Sequence, residues 1–166
     1  MSRRRYPLET LIKVREHRTE KARQLVLERL AKVRECLAAC TRIEGEIQSL
    51  RNERAAQRAR LLDPPPAGVA WPTALAQREA HADLLAAKAE AAGQRLQAAR
   101  QAQHAAEAEL DEARKAFSRT RSRLDALIQR REAWRREEAA RAERLDDLAL
   151  ADLVSARHTT RSEVNG

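Results

Sequence analysis

Chemistry in an unfamiliar chain is sought first among its histidines, cysteines and carboxylates. His17, His81, His104 and His158 are scattered, and none sits at metal-ligand spacing with a cysteine or carboxylate. Cys36 and Cys40 are one helical turn apart, a poor geometry for a disulfide within a helix. They read as two small residues on a buried seam, ahead of redox or metal work. There is no Gly-rich phosphate loop, no G-x-S-x-G elbow and no kinase-type motif. Carboxylates are many, but splitting the pKa values of a pair takes a desolvating pocket, and the helical plan below offers none. The residues argue against an enzyme, a metal site or a cofactor.

The elements that must position any functional side chain are long helices. Counting sevens from Leu75, the a positions run Leu75, Ala82, Ala89, Leu96, Gln103, Leu110, Phe117 and Leu124, then Arg131, Glu138, Leu145 and Asp152. The d positions run from Arg78 through Leu85, Ala92, Ala99, Ala106, Ala113, Thr120 and Leu127 to Trp134, Arg141 and Leu148. The register holds without insertion or proline, which puts one stripe on one side of a helix and winds it into a left-handed coiled coil. Aromatic content of 2% and charged content of 35% fit long helices better than a compact core. Nothing resembles a signal peptide, because Arg15, Glu16 and Arg18 interrupt the first apolar residues. No apolar run reaches the roughly 20 residues of a membrane span. The chain reads as a soluble protein of a reducing compartment, with no membrane insertion.

A first helix is expected from about Pro7, with Leu8, Leu11 and Val14 opening a seam that passes through Ala22, Val26, Leu30, Val33, Leu37 and Cys40. Two successive steps of three, Leu37 to Cys40 to Ile43, look like a stammer. Regular spacing resumes through Ile47, Leu50, Arg54, Gln57 and Leu61. The stretch 63–72 holds four of the five prolines and ends the helix near Leu62. Thr73 is the expected N-cap of a second helix running to about Ala156, with 157–166 fraying. The expected fold is all-α: one antiparallel coiled-coil hairpin over residues 1–166, the second helix longer and overhanging. A turn near Ala67 makes partners sum to about 135, placing Leu8 near Leu127 and leaving Trp134, Leu145 and Leu148 exposed on the overhang. Val69 and Trp71 in the tip loop are candidates for a contact, or for closing the hairpin.

Charge is uneven. Residues 1–24 carry eight basic and three acidic side chains, and residues 112–144 carry eleven basic and six acidic, +5 in each case. Residues 25–111 are neutral, with twelve of each sign. In a hairpin the two basic segments lie side by side. Three readings stand: a solvated, salt-bridged surface, a nucleic-acid binder, or a basic end that receives an acidic protein partner. Nucleic acid is disfavoured, because the chain has no basic-zipper layout, zinc finger or RNA-binding signature. By charge alone, Arg131, Arg135, Arg136 and Arg141 are candidates for partner binding.

The segment Arg5-Tyr6-Pro7-Leu8-Glu9-Thr10-Leu11-Ile12-Lys13-Val14-Arg15-Glu16, continued by Glu20 and Ala22, resembles the opening of the FliJ/YscO family. Glu143-Arg144-Leu145-Asp146-Asp147-Leu148-Ala149 is similar to that family's closing acidic-leucine segment. The alanine-rich middle and the Pro64-Pro65-Pro66 tip depart from many members and look most like the Hrp branch of plant-associated bacteria. The resemblance implies a non-enzymatic central stalk of flagellar and type III secretion export ATPases, similar to the gamma subunit of rotary ATPases. It implies that the paired ends enter a hexameric ATPase and stimulate it, that the stalk binds the export gate and secretion chaperones, and that it works at the cytoplasmic face of a bacterial secretion apparatus. Carried over by position, the ATPase-facing set is Tyr6, Leu8, Leu11, Arg15, Leu145, Asp146, Asp147 and Leu148. The departures leave the gate-binding residues of the middle unmatched. A self-associating structural coiled coil and an arginine-rich nucleic-acid-binding helix are the alternatives.

Overall fold

The computed structural model describes the backbone of residues 5–164 and the side chains as far as Ser155. Helix α1 spans Glu9–Ala59 and helix α2 spans Trp71–Val164, with no strand among the described residues. The helices pack against each other as an all-α hairpin. Their composition explains their length: alanine, leucine, arginine and glutamate dominate both, and proline is absent from α2 after Pro72. The contacts divide into two units, and each is described by itself: residues 24–115, which hold the turn, and the described residues up to Arg23 together with those from Ala116 on.

In the turn unit, Arg29 pairs with Glu109, Glu46 with Arg95 at 2.7 Å, and Glu53 faces His81 at 3.8 Å, so numbering rises on one helix as it falls on the other. Cys40, Ile47, Ala74, Ala82, Leu85, Ala92, Ala106, Leu110 and Ala113 form its buried seam. The small alanines leave little apolar area per layer, so the ion pairs flanking the seam carry much of the pairing specificity. The loop is tightened at both ends. Backbone N–H groups of Arg60 and Leu61 donate to the carbonyls of Gln57 and Arg58, a 3₁₀-like last turn. The Val69 N–H donates to the Pro66 carbonyl at 3.1 Å across Ala67 and Gly68, and Gly68 has a φ of 85°, a conformation that glycine adopts without a Cβ penalty.

Four sequence expectations change here. First, α2 begins at Trp71, not after a Thr73 cap. The Ala74 N–H bonds to the Ala70 carbonyl, and Pro72 fits the first turn because its missing donor is not needed there. Second, α2 runs to Val164, past the end expected near Ala156, because no glycine or proline stands between Gly93 and that point to stop it. Residues 165 and 166 lie outside the described residues. Third, α1 carries no stammer. Its seam runs Ile12, Arg15, Thr19, Ala22, Val26, Arg29, Val33, Cys36, Cys40, Ile43, Ile47, Leu50, Arg54 and Gln57, then Leu61 just past the helix, in alternating threes and fours, with half-buried Glu9, Leu30 and Ala39 flanking it. Leu11, Val14 and Leu37 are off the seam and exposed. Fourth, the register is shifted: Tyr6 meets Trp134 and Glu9 meets Arg131, so partners in that unit sum to 140 rather than 135.

Candidate functional site

The unit that joins the start of α1 to the far half of α2 holds most of the expected site. Tyr6 precedes the first turn of α1, whose entry is fixed by the Glu9 N–H donating to the Tyr6 carbonyl at 3.2 Å and the Ile12 N–H to that of Leu8 at 3.0 Å. From there its ring packs on Trp134 of α2, centroids 5.5 Å apart and planes tilted by 55°, a favourable edge-biased geometry. One turn earlier on α2, the Arg131 guanidinium donates to Glu9 Oε1 at 3.2 Å. The Arg131 side chain is 20% exposed and its Nε is buried without a hydrogen-bond partner, so the ion pair is better shielded than the others on this surface. Ile12, three residues on from Glu9, is 1% exposed. Glu9 also sits in the first turn of α1, where the helix dipole favours a carboxylate.

This clasp corrects the expectation for Trp134. It was to stand exposed on the overhang; with partners summing to 140 it still lies opposite Tyr6 and is half-buried. Beside it opens a groove lined by Arg5, Lys13, Arg135, Glu138, Ala139 and Ala142 with the aromatic pair. It offers cations, two carboxylates and aromatic edges on a shallow surface, suited to an apolar or acidic helix rather than to a reaction that needs desolvation.

Beyond the clasp α2 changes character. Every side chain from Arg141 to Ser155 is exposed, including Leu145 at 66% and Leu148 at 62%, with Asp146 and Asp147 between them. Arg141 pairs with Glu138 at 2.9 Å and Glu137 at 3.8 Å on its own helix. Arg135 and Arg136 are exposed and make no ion pair among the described residues. Leu8, just before α1, and Leu11 on it are exposed at 36% and 39%, and Arg15 is half-buried on the seam. The structure thus brings Tyr6, Arg131, Trp134 and Arg135 together and leaves Leu145 to Leu148 uncovered. Glu9, Lys13 and Glu138 belong to the site and escaped the sequence reading; Glu9 opposite Arg131 follows only from the correct register.

In the turn unit, Val69 is 36% and Trp71 40% exposed, while Leu62 is 80% exposed, so Trp71 does not close over Leu62. The residue that secures the turn is Arg78, which also escaped the sequence reading. Its guanidinium donates to the carbonyls of Arg60 at 3.0 Å, Leu61 at 3.1 Å, Asp63 at 2.7 Å and Pro64 at 3.4 Å. A cation thereby gathers the carbonyls of the loop that follows α1, next to the helix's negative end. Among the described residues no group of three metal-binding side chains occurs, and no helix is long and apolar enough to cross a membrane.

Two paired helices with an aromatic clasp and an uncovered apolar extension define an all-α protein of the helical-hairpin class. The sequence matches the family model described as YscO-like protein over residues 3–163, and the chain belongs to that family. Its fold is similar to the solved structure of CT670 from Chlamydia trachomatis, described as a YscO homologue, with a TM-score of 0.69 over 95% of this chain and 99% of that one at 20% identity. Among curated proteins none matches the sequence. Membership places the chain among the accessory proteins of type III secretion.

Proposed function

We propose that the chain is a central stalk that binds and stimulates the hexameric ATPase of a type III secretion system and links it to the export gate, with secretion chaperones as further partners, at the cytoplasmic face of the apparatus. The observation that carries this reading is the clasp of Tyr6, Glu9, Arg131 and Trp134, from which α2 continues as exposed Leu145, Asp146, Asp147 and Leu148. A surface that orders both helix ends and leaves leucines uncovered suits insertion into a larger assembly. The ring supplies the catalytic residues; the stalk binds one arrangement of subunit interfaces better than the others and so shifts their populations. Arg135 and Arg136, exposed beside the groove, steer an acidic ring surface and set orientation and on-rate more than affinity.

The test is charge reversal at residues that the fold does not use. Arg135→Glu with Arg136→Glu should leave the circular dichroism unchanged and lower ATPase stimulation, with the deficit shrinking as salt is raised. Unaltered stimulation at low salt removes the basic surface from the mechanism.

A further inference from the structure

The heptad register of α2 does not stop where α1 ceases to cover it. After Glu138 it continues with Arg141 at d, Leu145 at a, Leu148 at d and Asp152 at a, all exposed. A stripe in register with the intramolecular seam is a coiled-coil half without its partner. Its charges select what the partner is. Suppose a second copy pairs with it antiparallel, so that facing residues sum to 293. Leu145 then faces Leu148 of the second copy, and Arg141 faces Asp152 of the second copy, each layer occurring twice by symmetry. Every layer joins an a to a d position, as antiparallel seams require. The flanking Ala142, Ala149 and Ala151 are small enough for close approach. Parallel pairing would instead oppose Arg141 to Arg141 and Asp152 to Asp152. Like charges there are repulsive, so the same residues that favour one orientation forbid the other.

We infer that the far end of α2 is an isologous dimerisation surface whose occupant is the same segment of a second copy, antiparallel, with two leucine layers flanked by two Arg141–Asp152 ion pairs. The interface is self-complementary, as two-fold symmetry demands. It is short, so its affinity is micromolar or weaker and it exchanges readily. It covers Leu145 and Leu148, leaving Leu150, Leu153 and Val154 on the outer faces of the helix. If the stalk reading above holds, the dimer is a stored form that cannot enter the ATPase; the dimer itself does not depend on that reading.

The experiment is sedimentation velocity on the full chain over about 1 μM to 1 mM at low salt, with Arg141→Asp, Asp152→Arg and the double swap. The expected result is a reversible dimer that each single change weakens on the order of tenfold and that the double swap restores to nearly wild-type strength. Circular dichroism should be nearly the same for all four proteins: Arg141 gives up only its surface pairs to Glu138 and Glu137 on its own helix, and Asp152 is exposed. A monomer at every concentration overturns the inference and leaves the leucine stripe to the ATPase alone. A dimer indifferent to the single changes, or one that the double swap fails to restore, overturns the register and the proposal with it.

Discussion

Ile12 and Leu11 are adjacent, both aliphatic and of equal size, yet the structure gives them opposite roles. Ile12 is 1% exposed on the seam and Leu11 is 39% exposed beside it. Truncating Ile12 to alanine removes buried apolar volume and leaves a cavity, a change that costs about 2–5 kcal/mol in well-packed cores. Two helices can close partly over such a gap, so the lower half of that range applies, about 2–3 kcal/mol. Truncating Leu11 removes atoms already in water in part and should cost under about 1 kcal/mol. The assay is guanidinium unfolding followed by Trp134 fluorescence in a Trp71→Phe background. Trp134 packs on Tyr6 in the same unit as Ile12, so its emission reports locally. Ile12→Ala should lower the midpoint clearly and Leu11→Ala slightly. Equal losses, or a larger loss for Leu11→Ala, would refute the register of α1 described above and revive the seam through Leu11 and Val14.

Three other predictions follow from single features. Gly68→Ala should destabilise by about 1 kcal/mol because an alanine resists a φ of 85° even with open space around it, whereas Gly45→Ala, in mid-helix with nothing within 4 Å, should stabilise by roughly 0.5–1 kcal/mol; thermal melts of the two variants should move in opposite directions. Arg78→Ala should cost about 1–2 kcal/mol and Arg78→Lys somewhat less, since an ammonium keeps the charge but cannot fork over four carbonyls; amide hydrogen exchange at residues 57–61 should accelerate most. The double variant Leu145→Ala and Leu148→Ala should leave stability within about 0.5 kcal/mol, both side chains being exposed, while cutting stimulation of the ATPase.

How much of this was legible depended on which residues carried the pattern. The α2 ladder was readable because most of its a and d positions as far as Leu127 are alanine and leucine, and the prolines at 64–66 marked the turn without ambiguity. The α1 seam was legible only in part: Ala22, Val26, Val33 and the positions from Cys40 to Leu61 were read on it, but Arg15, Thr19, Arg29 and Cys36 occupy seam positions while Leu11, Val14 and Leu37 face water. Long polar side chains can lay their stems on a seam and carry their ends outward, as Arg29 does toward Glu109. A reading by hydrophobicity therefore strayed at Leu11, Val14 and Leu37 and needed a stammer to rejoin the seam at Cys40. Pairing partners inherited that error through the assumed centre of the turn, which hid Glu9 opposite Arg131 and put Trp134 on the overhang. Arg78 was visible only as a polar d position. Its role depends on where the α1 carbonyls end, and that is a property of the folded loop.

The most direct measurement is ATP turnover by the secretion ATPase of the same system, with and without the full chain, read together with complex formation by size-exclusion chromatography. A complex and a raised turnover are expected, both diminished by Leu145→Ala with Leu148→Ala and by Arg135→Glu with Arg136→Glu. Absence of a complex across a range of salt, with turnover unchanged by the wild-type chain, would contradict the stalk reading.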